Sequence, residues 1–402
     1  MSIADMSISF QKSIWCFLAI WAIVHGSLPC LAQIRYFQPA SVQGVQGAVV
    51  PIPSAVQDSI VTDTVFQVLS KEGYPIRYYK KIRTSVCFDN KCRLLKCTLY
   101  WNITGRYLGF ELEKREYLSK ARHKPFKRKE YVRLHAILSD PFSRLSVLSY
   151  GELAPRVEPR VEPWVEPRVS NGKDEVDAVT SATAANILDD VVPGAAYTTY
   201  KMWHVVYGPS QEEVRDLTIR SLSSDLILKI LDSPDPGDKT WALSHIRGHV
   251  RPTPQLRERV FSYINNNQYN LAERAINALD GQDLDSDTIQ VLLTGKLAQG
   301  SYAIRKLILG KLAQASHLNR QAIADLKPIL RGTNPELTNN VLDLFTSHRI
   351  TDDDVSQEVA ALLTNQNNFV ARNAYKYLMA LPVKNQYVAG QLESYQKAHQ
   401  QN

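Results

Sequence analysis

The sequence is poor in the patterns that mark common enzymes. It has no Gly-x-Ser-x-Gly, no His-Glu-x-x-His, no P-loop and no Gly-x-Gly-x-x-Gly. Those absences speak against a serine hydrolase, a zinc protease, a P-loop nucleotidase and a dinucleotide-dependent enzyme. Cysteine is scarce, with 5 in 402 residues, and no two form a Cys-x-x-Cys pair. A zinc or iron–sulfur centre is therefore disfavoured. Charge of one sign is not in large excess: 47 Lys and Arg against 40 Asp and Glu leave +7. That surplus permits an anionic partner and does not call for nucleic acid. At 44% hydrophobic and 22% charged residues the chain is neither wholly disordered nor a multi-pass membrane protein. Its length fits two or three domains.

The longest uncharged apolar run lies near the N-terminus. Residues 13–24 follow Lys12, and Cys30-Leu31-Ala32 gives a small-x-small pattern before Gln33. Residues 1–32 read as a secretory signal peptide, with the mature chain periplasmic or secreted after cleavage near Ala32. The alternative is an uncleaved anchor over 13–32, the one route to a membrane in this reading. A lipoprotein site at Cys30 is disfavoured by Pro29. Export leaves Cys87, Cys92 and Cys97 in an oxidising compartment, which favours one disulfide and one leftover thiol. Cys87 and Cys92 flank the turn-like Phe88-Asp89-Asn90-Lys91.

Residues 33–73 are Gln-, Val- and Pro-rich with little period, and read as a loosely structured leader. Strand-like runs then cover 75–88, 93–101 and 107–112, an antiparallel meander. Residues 114–133 are basic, from Lys114 and Arg115 to Lys129 and Arg133. They read either as a solvated face or as a patch for a phosphate, an acidic lipid or an acidic partner. Only Tyr117, Phe126 and Tyr131 interleave, so base stacking is poorly supported. Residues 155–169 repeat Pro-Arg-Val-Glu. Proline at every fourth position forbids a helix and removes ladder donors, so an extended loop is expected.

From 240 to 402 the chain repeats. Ile246, Leu279, Leu312, Phe345 and Leu378 are evenly spaced, thirty-three positions from each to the next, and each has an apolar or small residue four positions earlier. Val260, Leu293, Leu326, Val359 and Leu392 follow fourteen positions after each anchor, with the same i−4 partner. Each unit therefore holds two amphipathic helices. A helix pair of this size buries its stripe only by stacking, which predicts an all-α solenoid of HEAT-like pairs joined to the sheet domain by helices in 209–239. A solenoid offers a long surface for a protein partner.

One stretch carries chemistry. Asp177-Ala178-Val179-Thr180-Ser181-Ala182-Thr183 is a turn of small and hydroxyl residues, and Thr180 is placed to cap a following helix. Such a start suits a phosphate as well as an unliganded cap. The stretch resembles the exported FMN-binding domain, whose motif is Asp-x-x-Ser/Thr-Gly-Ala-Thr. The resemblance extends over 74–208, through Leu99-Tyr100-Trp101-Asn102 with Gly105, Leu118-Ser119-Lys120 with His123, and Ala196-Tyr197-Thr198-Thr199-Tyr200 with Trp203-His204. It implies an α+β domain, FMN as cofactor, and attachment of FMN to Thr183 through a phosphoester by a flavin transferase. Asp177, Thr180 and Ala182 match the motif as well. Ser181 stands where the family has Gly. Where such a position needs positive φ, Ser costs about 1 kcal/mol. Two functions follow: an exported flavin electron carrier docked through its repeats, or a scaffold on a domain that has lost flavin attachment. Neither is a hydrolase or a transferase.

Overall fold

A computed structural model describes residues 33–56, 62–84, 94–120, 124–153, 187–382 and 385–399. The chain divides into two compact units, Met1–Leu217 and Thr218–Asn402.

The first unit is built on one six-stranded antiparallel sheet in the order β1-β6-β5-β4-β3-β2. The expected meander is present as β4 (Pro75–Thr84), β5 (Leu95–Trp101) and β6 (Tyr107–Glu111). Its alternation is strict. Ile76, Tyr78, Lys80 and Ile82 of β4, and Leu95, Cys97, Leu99 and Trp101 of β5, are buried on one face. Arg77, Tyr79, Lys81, Thr98 and Tyr100 fall on the other. Helices α1 (Arg128–Leu138), α2 (Ala196–Val206) and α3 (Pro209–Arg220) follow. α1 packs on β6 and α2 on β5. Trp101 Nε1 donates to Val206 O at 2.9 Å, and Tyr107 Oη meets His135 Nδ1 at 3.0 Å.

Residues 33–73 are not a loose leader. They contain β1 (Arg35–Phe37), β2 (Gln46–Pro53) and β3 (Thr64–Ser70), half of the sheet. The pattern hides them because β1 has three residues and β2 is an edge strand exposed along almost its whole length. Between β1 and β2 the chain crosses one end of the sheet as a strap. Gln38 N donates to Leu108 O, and Arg106 reaches back to Gln38 Oε1 and Pro39 O. Ser41 donates from both N and Oγ to the buried Asn102 side chain at 3.0 and 2.8 Å. Lys71 N then donates to Val45 O.

The covered face holds a fully buried cation. Lys80 Nζ lies 2.7 Å from Glu213 Oε2 of α3 and 2.7 Å from Ser54 Oγ. Ser210 Oγ is 3.3 Å away. Ser54 Oγ and Ala55 N both donate to Glu213, at 2.8 and 2.7 Å. This cluster fastens α3 and the end of β2 to β4.

The second unit is helical, and its helices keep the expected interval. One series begins at Pro236, Tyr269, Tyr302, Pro335 and Asn368: α5 (Pro236–Ser244), α7 (Tyr269–Ala278), α10 (Tyr302–Leu312), α12 (Pro335–Ser347) and α14 (Asn368–Ala380). The other begins at Pro254, Asp287, Arg320, Asp353 and Gln386: α6 (Pro254–Ser262), α9 (Asp287–Gly295), α11 (Arg320–Leu330), α13 (Asp353–Ala361) and α15 (Gln386–His399). Both series advance by the same step as the apolar anchors. α4 (Ser224–Leu231) precedes them, and the short α8 (Gly281–Leu284) interrupts them. Each first-series helix packs on the next of its series: α5 on α7, α7 on α10, α10 on α12, and α12 on α14. α9, α11, α13 and α15 pack in succession as well. All five anchors, and all five residues fourteen positions later, are buried.

The interval also appears in the helix caps, which the apolar pattern does not use. Thr253, Asn319 and Asn385 recur before second-series helices, and Ser301, Asn334 and Asn367 before first-series ones; each side chain accepts from a backbone N–H of the first turn. Polar ties join successive units. Gln290 donates to His317 O and accepts from Asn319 N, at 2.9 and 2.8 Å. Tyr377 Oη donates to Ile350 O at 2.6 Å.

Candidate functional site

Asp177, Thr180, Ser181, Ala182 and Thr183 lie outside the described residues, as do His123, Cys87, Cys92 and the Pro-Arg-Val-Glu repeat. The structure gives the frame on either side of them, ending at Leu153 and resuming at Ile187. The resuming segment is anchored by three apolar plugs, Ile187, Val191 and Val192, all buried. Val192 N donates to Thr199 Oγ1 of α2 at 3.2 Å.

Cations from two separate parts of the chain hold this segment. Arg133 of α1 donates to Leu188 O at 2.6 Å. Arg144, in the loop after α1, stands 3.6 Å from Asp190. Lys120 packs beside Gly194, whose φ is +76°; a Cβ there would lie 3.7 Å from the Lys120 Cβ. Lys120 Nζ is itself 2.7 Å from Glu130. Burial pushes the Glu130 carboxyl up, but the hydrogen bonds from Lys120 and from Lys127 N–H outweigh it and hold the group below the usual carboxylate range. Basic residues of the 114–133 segment thus frame the chain a few positions beyond Thr183. The pattern alone did not show this, because Arg144 is remote from the segment and Leu188 contributes only a carbonyl.

The aromatic residues quoted for the resemblance are structural here. On α2, Tyr200 and His204 stand 4.0 Å apart, and Trp203 and Tyr207 4.7 Å. Their polar atoms engage the 138–148 loop. Tyr207 Oη donates to Leu138 O, Trp203 Nε1 to Asp140 O, and Tyr200 Oη to Leu148 O, at 2.8, 3.0 and 3.1 Å. His204 Nε2 meets Leu145 O at 3.0 Å, and burial lowers its pKa. These bonds staple the loop to α2. Trp101 and Trp203 are core residues, and neither offers a ring face to a flavin. Asn102 begins a glycosylation-like triplet, yet it is fully buried and its Nδ2 donates to Thr104 Oγ1.

The opposite face of the sheet carries a row of rings. Phe37 reaches Tyr100 at 4.8 Å, Tyr100 meets Tyr79 at 5.3 Å, and Tyr79 stacks on Phe66 at 4.7 Å. Gly109 makes the first contact possible, since a Cβ there would fall 2.2 Å from Tyr36 O and 2.9 Å from the Phe37 ring. Beside the row lies a groove of about 360 Å³ lined by Gln33, Arg77, Tyr79, Lys81, Tyr100 and Glu111 among others. Tyr79 and Phe66 stack face to face across β3 and β4, while Phe37–Tyr100 and Tyr100–Tyr79 are tilted cross-strand contacts.

Cys97 is free and buried, with its thiol pushed up to about 12 by burial, so it is a packing residue. Among the described residues no group of His, Cys, Asp and Glu is arranged to hold a metal ion. Compared with known protein families and with curated proteins, the chain matches none.

Proposed function

We propose that the chain is an exported flavin-binding protein that carries FMN on Thr183 and serves as an electron carrier. Its helical repeats form a HEAT-like solenoid that docks a protein partner. One observation supports the flavin reading above the others: the segment resuming just after the motif is framed by Lys120, Arg133 and Arg144. Lys120 and Arg144 are paired with Glu130 and Asp190 and would exchange those partners to meet the phosphate end of FMN. In attachment, the Thr183 oxygen–phosphorus bond replaces the phosphoanhydride bond of FAD. AMP leaves, and the hydroxyl proton is released. The bound flavin would supply reversible electron transfer. The chain's own part is to fix the phosphoester, offset its charge and present the cofactor.

The solenoid reading rests on the even recurrence of helix starts, caps and buried anchors, and on the packing of each helix against its series neighbour. The second reading, a scaffold without flavin, is favoured by Ser181 alone.

Intact mass and visible spectrum of the chain from Gln33 to Asn402, produced for export with a flavin transferase, decide between them. A mass gain equal to FMN less one water that disappears in Thr183→Ala establishes the carrier. Labelling only after Ser181→Gly would show that the departure had abolished attachment. Labelling that survives Thr183→Ala refutes the site. No flavin by mass or colour leaves the scaffold.

A further inference from the structure

The open face of the sheet carries one ladder across all six strands. Phe37 is opposite Gly109, Gly109 opposite Tyr100, Tyr100 opposite Tyr79, Tyr79 opposite Phe66, and Phe66 opposite Pro51. Five strand spacings make the ladder about 24 Å long. The side chains that engage helices, Trp101, Tyr107 and Lys80, stand on the other face. The four rings of the ladder are only half-buried. A sheet face with apolar side chains gains stability when a second layer covers it.

Charge on this face is sorted by strand. β4 contributes Lys81 and Arg83, and Glu111 and Glu113 stand on the far side of β5. Lys81 is opposite Thr98, and Thr98 is opposite Glu111, so the three share one level. Arg83 is one step further along, opposite Lys96. Glu113 lies two positions beyond Glu111 and lines the same groove. Arg83 and Glu113 are exposed, and neither makes an ion pair among the described residues. Lys81 Nζ lies 5.9 Å from the Phe66 ring centroid. Glu111 accepts from Tyr100 Oη at 2.9 Å and faces Arg35 at 3.4 Å, which leaves lone pairs on its carboxylate.

We propose that this face packs on the same face of a second copy of the chain, about a twofold axis that lies in the interface and runs nearly parallel to β5. That axis sets β4 of one copy over β6 of the other. Lys81 meets the partner's Glu111, and Arg83 meets the partner's Glu113. Tyr79 comes over the partner's Gly109, where no side chain stands in its way. Phe66 comes over the partner's Phe37, and Tyr100 over the partner's Tyr100. Lys96 meets the partner's Lys96 at the axis, and each stands 3.6 Å from Glu116 of its own chain. Cations and acids placed symmetrically about β5 are what a self-complementary interface requires, and a small ligand in the groove has no need of them. Pairing through the edge of β2 is blunted. Ser54 N bonds inward to Asp63 O, so the alternate residues Pro51 and Pro53 turn to the open edge, and neither has an N–H to offer. A face of this size is at the small end of specific interfaces, so the dimer is a weak one, with Kd on the order of 10 μM. The inference does not depend on flavin attachment.

Sedimentation equilibrium of the full chain between about 1 and about 100 μM tests it, and should give a monomer–dimer curve. Thr98→Arg brings two guanidinium groups together at the axis and should weaken the dimer by about tenfold or more. Arg83→Glu and Glu113→Arg should each weaken it by about three- to tenfold. An equal mixture of those two variants should recover the dimer, because every swapped charge then meets its opposite. Circular dichroism melts at low concentration check that each variant folds; Arg83 and Glu113 are exposed, so their variants keep the test open if Thr98→Arg does not fold. Three results would overturn the proposal. A monomer throughout would leave the groove to a small ligand or to another segment of the chain. A dimer undiminished by a folded Thr98→Arg variant would place the contact elsewhere. A mixture no tighter than either charge variant would refute the twofold arrangement.

Discussion

Replacing Lys80 by Met removes a fully buried cation from β4 and keeps the length of its side chain. Glu213, whose side chain is only 9% exposed, then retains just Ser54 and Ala55 as donors. Leaving one member of a buried pair uncompensated costs about 3–5 kcal/mol. Relative to Lys80→Met alone, adding Glu213→Leu removes the uncompensated charge and loses only the two bonds from Ser54 and Ala55, about 1 kcal/mol each. The double variant should therefore be more stable than the single one.

The pH dependence has a definite sign. In the native protein burial pushes the Glu213 carboxyl up, but hydrogen bonds from Lys80, Ser54 and Ala55, with the Lys80 charge, hold it below its usual value. Its stabilising contribution is present above the unfolded pKa and is lost as pH falls through the folded one. In Lys80→Met the order reverses, because the uncompensated carboxyl is raised. The gap between native and variant should then be largest near neutral pH and shrink as Glu213 takes up a proton. Urea unfolding across pH, with hydrogen exchange read at β4 and α3 peptides, measures it. A loss below about 1 kcal/mol at neutral pH, or a loss independent of pH, would refute the reasoning.

Gly109→Val should displace β1, since its Cβ would meet Tyr36 O and the Phe37 ring. The expected cost is roughly 1–3 kcal/mol, with faster proteolysis around residues 33–45; unchanged proteolysis would contradict the assigned contact. His135 is held by burial below the ordinary histidine value of 6.5. Its neutral form therefore supports the fold above the unfolded pKa, and that support is lost as pH falls from the unfolded toward the folded value. An NMR titration of the His135 ring should give a midpoint under 6.5, and a midpoint above it would refute the burial argument.

The parts legible in the sequence are those where one periodicity governs burial. β4 and β5 alternate strictly, and the helix pairs place the same stripe at one constant interval, so both are visible without coordinates. β1 and β2 were not legible for opposite reasons. β1 is too short to show a period, and β2 is exposed along nearly all its length, so nothing selects one set of its side chains as apolar. Lys80 reads as a solvated strand residue until Glu213, far along the chain, supplies its partner. The same holds for the frame around Leu188. Arg144 and Asp190 become neighbours only when the 138–148 loop folds onto α2. Helix caps carry the same interval in the sequence: Thr253, Asn319 and Asn385 recur in step with the anchors, and Ser286 and Asp352 hold the same position without a side-chain cap bond.

The strap between β1 and β2 bears on the order in which the first unit is completed. A chain emerges from synthesis N-terminus first. β1 is therefore among the first segments available, yet its partner β6 comes much later; Gln33 Nε2 bonds Leu112 O across a separation of 79 residues. Strands β2 to β6 pair with sequence neighbours and need not wait. Until Asn102 and Arg106 have turned the β5–β6 hairpin, Ser41 and Gln38 have nothing to hold. A strand of three residues offers few unpaired groups to other chains during that delay. An early part of the emerging chain thus waits for the last strand of the sheet before it can pair, and a lesion in residues 38–45 would leave β6 as an open edge.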